Sequence, residues 1–247
     1  MALDFFTKTS GTWINVATIL IGSGLGLLLH GRLPRRMQQV ITQGLGLITM
    51  LIGFSMAGEM RGLQGGRIDG IILGLMAMVL GGLLGEWGQI EKHLENLGDW
   101  LKHQFQGKGN FTEGFVAASL LFCVGPLALI GSLNNGLMGD STLLTLKASM
   151  DGLAAIALTS SYGIGVGFST LPILLYQGGL SLGAGLLAQA IPDPNTNPAV
   201  LLTTGVGGLM IVGLGLNLLE VGRVHIASFL PALLLAPVIY GLATWLT

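Results

Sequence analysis

The sequence predicts an all-α polytopic membrane protein: a transmembrane helix bundle of about eight spans, or seven if helices five and six are partly re-entrant. Three observations predict it. First, only 9% of the 247 residues are charged and 51% are hydrophobic, whereas a soluble domain carries about 25% charged residues. Second, mean hydropathy is +0.74. Third, apolar runs of roughly 18 or more residues recur along the whole chain, enough for a helix to cross a bilayer. The two-residue alternation of a β-barrel is absent. The 41 glycines fit this class. Each would cost a helix in water about 1 kcal/mol against Ala, but between membrane helices small residues let backbones approach.

The elements follow from the runs. Helix one is expected from Trp13 to His30, with no cleavable signal pattern before it. A short basic loop, Gly31 to Arg36, leads to helix two at Gln39 to Gly58. Glycines 62, 65 and 66 mark a turn before helix three at Asp69 to Trp87. Residues 88–107 differ: Ile90, Leu94, Leu97, Leu101 and Phe105 recur at spacings of three and four, with Glu91, Lys92, Glu95, Asp99 and Lys102 opposite. That is an amphipathic helix too polar to span, expected on the membrane surface or against a soluble partner.

Helix four runs from Thr112 to Gly131 and is broken at Gly125-Pro126, because Pro frees a backbone carbonyl that needs another partner. Residues 132–147 read as a loop or re-entrant segment. Helices five to eight are expected at Ala148–Phe168, Ser169–Ile191, Ala199–Leu219 and Ile226–Leu246, with a Pro-rich loop from Pro192 to Pro198. The whole chain, 1–247, is read as one integral membrane domain. Loops with Arg32, Arg35, Arg36, Lys92, Lys102, Lys108 and Arg223 outweigh those with Lys8, Arg61, Arg67 and Lys147. The positive-inside rule then places both termini outside.

Two internal echoes stand out. Thr42-Gln-Gly44-Leu-Gly46 matches Thr203-Thr-Gly205-Val-Gly207, so helices one to three would repeat as an inverted copy in helices six to eight. A second echo pairs Asp69-Gly70, Gly81 and Gly85 with Asp151-Gly152, Gly163 and Gly167. It relates helices of the same direction, and the two are incompatible.

Net charge is −1, which leaves no basic footprint for nucleic acid. The single Cys123 has no disulfide partner. No H-E-x-x-H, C-x-x-C, P-loop or intramembrane protease pattern occurs, so an enzyme is not expected. No cofactor is expected beyond a bound Na⁺.

Polar chemistry concentrates between Ser119 and Gln177. Asp151, four residues after Lys147, shares a helix face with it and is the leading ion- or proton-binding carboxylate, with Lys147 as counter-charge. The plain alternative is an acid at a helix start, satisfied by the dipole. Asn134 and Asn135 offer amide oxygens or an Asx turn, and Asp140 reads first as a turn or N-cap. Ser119 and Ser160 offer hydroxyls that could equally glue helices together. Tyr176 and Gln177 suggest a pocket wall. Asn15 and Asn217 are either interhelical bonds or part of a polar path.

These residues also carry a resemblance. Phe-Cys-Val-Gly-Pro (122–126), Gly-Ser-Leu-Asn-Asn-Gly-Leu-Met-Gly-Asp (131–140), Met150-Asp151-Gly152, Leu171-Pro-Ile-Leu-Leu-Tyr-Gln-Gly178 and Gly213-Leu-Gly-Leu-Asn217 resemble bacterial inner-membrane proteins of the YqgA and YdfK type, the family labelled domain of unknown function 554. The resemblance covers nearly the whole chain and implies the bacterial cytoplasmic membrane. It brings no substrate and no site role. From the residues alone, a small transporter or channel for an ion or polar solute is the leading expectation. A regulatory or assembly module docking a partner through 88–107 is the alternative. Gly-rich spans in a lipid bilayer also suit a homodimer or larger assembly.

Overall fold

The computed structural model describes residues 4–30, 32, 34–107, 109–124, 126–187 and 196–246. Gly31, Leu33, Lys108, Gly125 and the 192–195 part of the Pro-rich loop lie outside them. Among the described residues the helices are α1 (Phe5–Leu29), α2 (Arg35–Ala57), α3 (Gly70–Trp87), α4 (Ile90–Gln104), α5 (Phe111–Cys123), α6 (Pro126–Met138), α7 (Thr142–Tyr162), α8 (Thr170–Leu187), α9 (Pro198–Leu218) and α10 (Leu230–Leu246). Tighter 3-10 turns occupy Gly58–Met60, Ile164–Ser169 and Ile226–Phe229. A minimal antiparallel hairpin pairs β1 (Gln64–Gly65) with β2 (Ile68–Asp69), Gln64 opposite Asp69. Gly66 turns it at φ 62°, a conformation open to Gly at little cost.

Among the described residues six helices are long and apolar enough to cross a membrane, or seven if α5 and α6, bent by 60°, count as one broken span. α8 is helical over Thr170–Leu187 but is not among these candidate spans, so the count is six or seven where eight were expected.

Capping explains most boundaries. α1 starts at Phe5 rather than Trp13 because Asp4 accepts the Thr7 amide at 3.1 Å. Thr7 holds that carboxyl below its ordinary pKa. Asp69 caps α3 through the Ile71 amide at 2.8 Å, and Asn197 caps α9 through Ala199 at 2.9 Å, with Pro198 in the first turn.

Two expectations need correction. Residues 132–147 are mostly helical rather than a loop: they hold the end of α6, a break at 139–141, and the start of α7, and the bent α5–α6 pair fits a re-entrant segment as well as a broken span. Helix five therefore begins at Thr142, not Ala148. Asp140 Oδ1 takes the Thr142 amide at 2.9 Å, which starts the helix early. The polar Thr142, Thr145 and Lys147 then fall inside it.

The chain forms two compact units: Met1–Leu45 with Glu95–Pro192, and Gly46–Leu94 with Asp193–Thr247. In the first, α1 runs parallel to α7. Gly11 abuts Leu144, Gly22 abuts Gly152, and Gly26 abuts Ile156. A Cβ on Gly26 would lie 2.6 Å from the Ile156 carbonyl oxygen, so only glycine permits this approach. α4 lays Gly98 against Thr112 and Phe115, and Asp99 accepts from the Thr112 hydroxyl at 2.6 Å.

In the second unit α2 crosses α9 antiparallel, and the crossing is reciprocal. A Cβ on Gly46 would lie 3.1 Å from Gly215 O, and one on Gly215 2.9 Å from Gly46 O. A Cβ on Gly53 would lie 2.8 Å from Gly208 O, and one on Gly208 2.7 Å from Gly53 O. Gly46 therefore corresponds to Gly208, and Gly53 to Gly215, one residue off the register of the sequence echo. α3 and α10 are also antiparallel, Gly81 against Ala232 and Gly85 against Ser228. Around them Leu73, Ala77, Leu202, Val206, Ala236 and Ile239 form the apolar core of this unit. Antiparallel pairs of this kind are what an inverted repeat of helices one to three and six to eight demands.

Gly208→Ala should cost about 1–3 kcal/mol of stability by overpacking, whereas Gly44→Ala, with open space at its Cβ, should be neutral. Thermal unfolding of both variants in detergent checks this. Equal midpoints would remove the close crossing of α2 and α9.

Candidate functional site

Four polar side chains from three helices meet inside the first unit. Lys147 and Asp151, one turn apart on α7, form an ion pair. They are only 5% and 7% exposed. Asn15 on α1 donates through Nδ2 to Asp151 Oδ2 at 3.0 Å, and through the same nitrogen to Gln177 Oε1 on α8 at 3.2 Å. Asn15 and Gln177 are fully buried. The parallel packing of α1 on α7 puts Asn15 beside Asp151 instead of a residue nearer the helix ends. Asp151 is thus an interior helix residue, not an acid at a helix start.

Asn15 and Gln177 are also related by sequence. They lie 162 residues apart, the same spacing that separates Gly46 from Gly208 and Gly53 from Gly215. At that common spacing the two amides meet as a hydrogen-bonded pair.

Around this pair several buried polar atoms have no partner among the described residues: Thr12 Oγ1 and Asn15 Oδ1 on α1, Ser132 Oγ on α6, Gln177 Nε2 and Ser181 Oγ on α8. Thr12 is three residues before Asn15, and Ser181 four after Gln177, so each shares a helix face with its amide. Ser132 is one turn before Gly136, which abuts the Ser181 carbonyl. Ser23, Thr159 and Ser169 hold further unpartnered hydroxyls elsewhere in this unit. Buried polar groups are nearly always bonded to protein or water, so the five beside the amides mark a place that can meet water or an ion. Cys123, the last residue of α5, is near enough to feel the charges of both Lys147 and Asp151. It sits beside the break between α5 and α6. Tyr176 is half-buried on α8 and lies near Cys123.

The other sequence candidates are placed differently. Asn135 is fully buried, but its amide is spent on α1: it accepts from Gly11 N at 3.0 Å and donates to Thr7 O and Ser10 Oγ at 3.0 Å each. It ties α6 to α1. Asn134 is half-buried beside it. Asp140 is an exposed cap whose bonds to Thr142 lower its pKa. Ser119 donates to Phe115 O at 2.6 Å and Ser160 to Ala157 O at 2.7 Å, both within their own helices. Asn217, in the second unit, closes the end of α9 by bonding Val224 N and O at 2.8 and 2.9 Å. Gly125 is outside the described residues, and α6 opens at Pro126. Among the described residues no group of His, Cys, Asp and Glu could hold a metal ion. A cation here would be met by carboxylate, amide and hydroxyl oxygens, which suit a hard monovalent ion.

Asp151→Leu should cost about 3–5 kcal/mol, because it strands the Lys147 charge in an apolar setting. Adding Lys147→Met should recover most of that loss. A double-mutant cycle on unfolding midpoints measures it, and additive losses would show that the two charges do not depend on each other.

Residues 10–241 match the family described as Protein of unknown function (DUF554). The chain is 29% identical over 229 residues to the Uncharacterized membrane protein YdfK of Bacillus subtilis (strain 168), covering 93% of this chain and 94% of that one. It is 30% identical over 233 residues to the Uncharacterized protein YqgA of Escherichia coli (strain K12), covering 92% and 94%. No solved structure matches. Matched across nearly its full length, with its polar cluster inside the matched residues, the chain belongs to the DUF554 family of proteins of unknown function.

Proposed function

We propose that this protein is a small secondary transporter or channel of the bacterial cytoplasmic membrane. It passes an ion, Na⁺ or H⁺ in preference, or a small polar solute. One observation carries the reading: a buried ion pair joined to two buried amides, with unpartnered hydroxyl and amide atoms on the same and adjoining helices, where α1 and α7 are apolar enough to span a bilayer. Ionisable residues at such depth are expensive and are typically kept for a pathway or a binding site. The bend between α5 and α6 beside Cys123 supports it, since broken helices in transporters often line the site. So do the antiparallel α2–α9 and α3–α10 pairs, the arrangement of inverted-repeat carriers. With an even number of spans, the basic loops favour both termini outside.

A second reading is a docking module. Leu97 and Trp100 on α4, and Phe105 just after it, are 45%, 59% and 58% exposed. These side chains also suit the lipid interface, which is where the transporter reading puts them. A specific partner lost when residues 88–107 are deleted would favour docking.

The test is flux in proteoliposomes holding the purified protein, scanning Na⁺, K⁺, H⁺, small anions and neutral polar solutes, with Asp151→Asn beside wild type. Wild-type flux for one of these, reduced at least about tenfold in the variant, is expected. No flux from folded protein would contradict the reading.

A further inference from the structure

The charge count of the cluster constrains what it can take. Asp151 carries −1 and Lys147 +1, so the pair is neutral as it stands. The titratable groups on neighbouring elements do not alter this. α5 carries Cys123 and an exposed Glu113, α8 carries Tyr176, and α6 carries none. α1 holds Lys8 in its first turn, and His30 just beyond its end bonds the Ser160 carbonyl at 3.1 Å. Arg35 and Arg36 open α2, whose Thr42 meets Ser161 near the far end of α7. Cys123, at the end of α5, lies near both Lys147 and Asp151.

If a monovalent cation simply joined the pair, the buried cluster would hold two positive charges and one negative. Uncompensated charge at such depth is strongly disfavoured. The oxygens a cation would use are available: the Asp151 carboxylate, Asn15 Oδ1, and the hydroxyls of Thr12, Ser132 and Ser181. The obstacle is the Lys147 charge, which is already paired to Asp151 through Oδ2.

We infer that a monovalent cation reaches Asp151 only in exchange for the Lys147 proton, so that Lys147 is the coupling residue of an electroneutral cation–proton exchanger. This rests on the transport reading above and names its ion class and coupling. The step balances. The cation takes the place of the ammonium beside the Asp151 carboxylate, and the Lys147 N–H bond breaks. Its electron pair stays on nitrogen, and the proton passes to water on the side from which the cation came. The cluster is neutral before and after. Lys suits this role because an amine can give up its proton, whereas the Arg guanidinium stays protonated.

The experiment uses the whole protein in proteoliposomes, with radioactive Na⁺ and Li⁺ as probes and an internal pH dye. An inside-acid gradient should drive Na⁺ or Li⁺ uptake, one proton leaving per ion, and an imposed membrane potential should not change the rate. Apparent cation affinity should fall about tenfold for each unit the pH is lowered while Lys147 is protonated. Lys147→Arg keeps the charge and should abolish exchange. Lys147→Gln should still take up the cation, now independently of pH and driven by potential. Each variant must match wild type in size-exclusion profile.

Wild-type uptake that follows potential and ignores the pH gradient would overturn the exchange while leaving the transport reading intact. So would a Lys147→Arg variant that exchanges normally, which would make Lys147 a structural partner. If neither Na⁺ nor Li⁺ moves under any gradient, the exchange falls. If a neutral solute moves instead, transport survives without it.

Discussion

Lys147 and Asp151 hold one another inside α7, and the fold around them is arranged so that neither charge is left alone. Taken singly, each would be a buried ion among apolar helices, a position proteins avoid by pairing or neutralisation. Paired, they allow α7 to run unbroken from Thr142 to Tyr162. Asn15 then adds a charge-assisted bond to the carboxylate at 3.0 Å, and a second bond links it to Gln177 at 3.2 Å. One ion pair thus ties three helices at a single depth. Buried pairs of this kind add little net stability over an apolar substitute, so their presence is better explained by use than by folding.

Glycine is what makes the arrangement reachable. α1 can bring Asn15 to Asp151 only because Gly11, Gly22 and Gly26 let it lie against α7 almost backbone to backbone. In the second unit the same device closes α2 on α9. Lipid provides no hydrophobic drive between helices, so this close packing must carry the association. The common spacing of 162 residues links the two uses. It relates the glycines of the α2–α9 crossing to one another and the two amides of the cluster to one another.

Much of this was legible in the sequence. Composition and run length fix the class, because a lipid-facing helix cannot hide its apolar face. The amphipathic spacing at 88–107 becomes α4, and the Lys147–Asp151 spacing becomes an ion pair. What escaped was set by partners far away in the chain. The start of α7 was misread because Lys147 looks too polar for a span until Asp151 neutralises it. Asn135 looked like a ligand, but its amide is spent on Thr7, Ser10 and Gly11. Thr12, Ser132 and Ser181 passed unnoticed because single hydroxyls are common in membrane helices. Their spacing from Asn15 and Gln177 was the available signal. The glycine register was off by one because a Gly-rich chain offers near-equal matches on either side of the true one.

The most direct test of the central claim is an experimental structure at high enough resolution to place ions and waters, solved with Na⁺ or Li⁺ present at neutral pH. The account predicts a non-protein density bonded to Asn15 Oδ1 and to hydroxyls of the surrounding ring, within reach of the Asp151 carboxylate. A dry cluster, with those same atoms bonded to protein groups, would contradict it and leave the ion pair a structural tie.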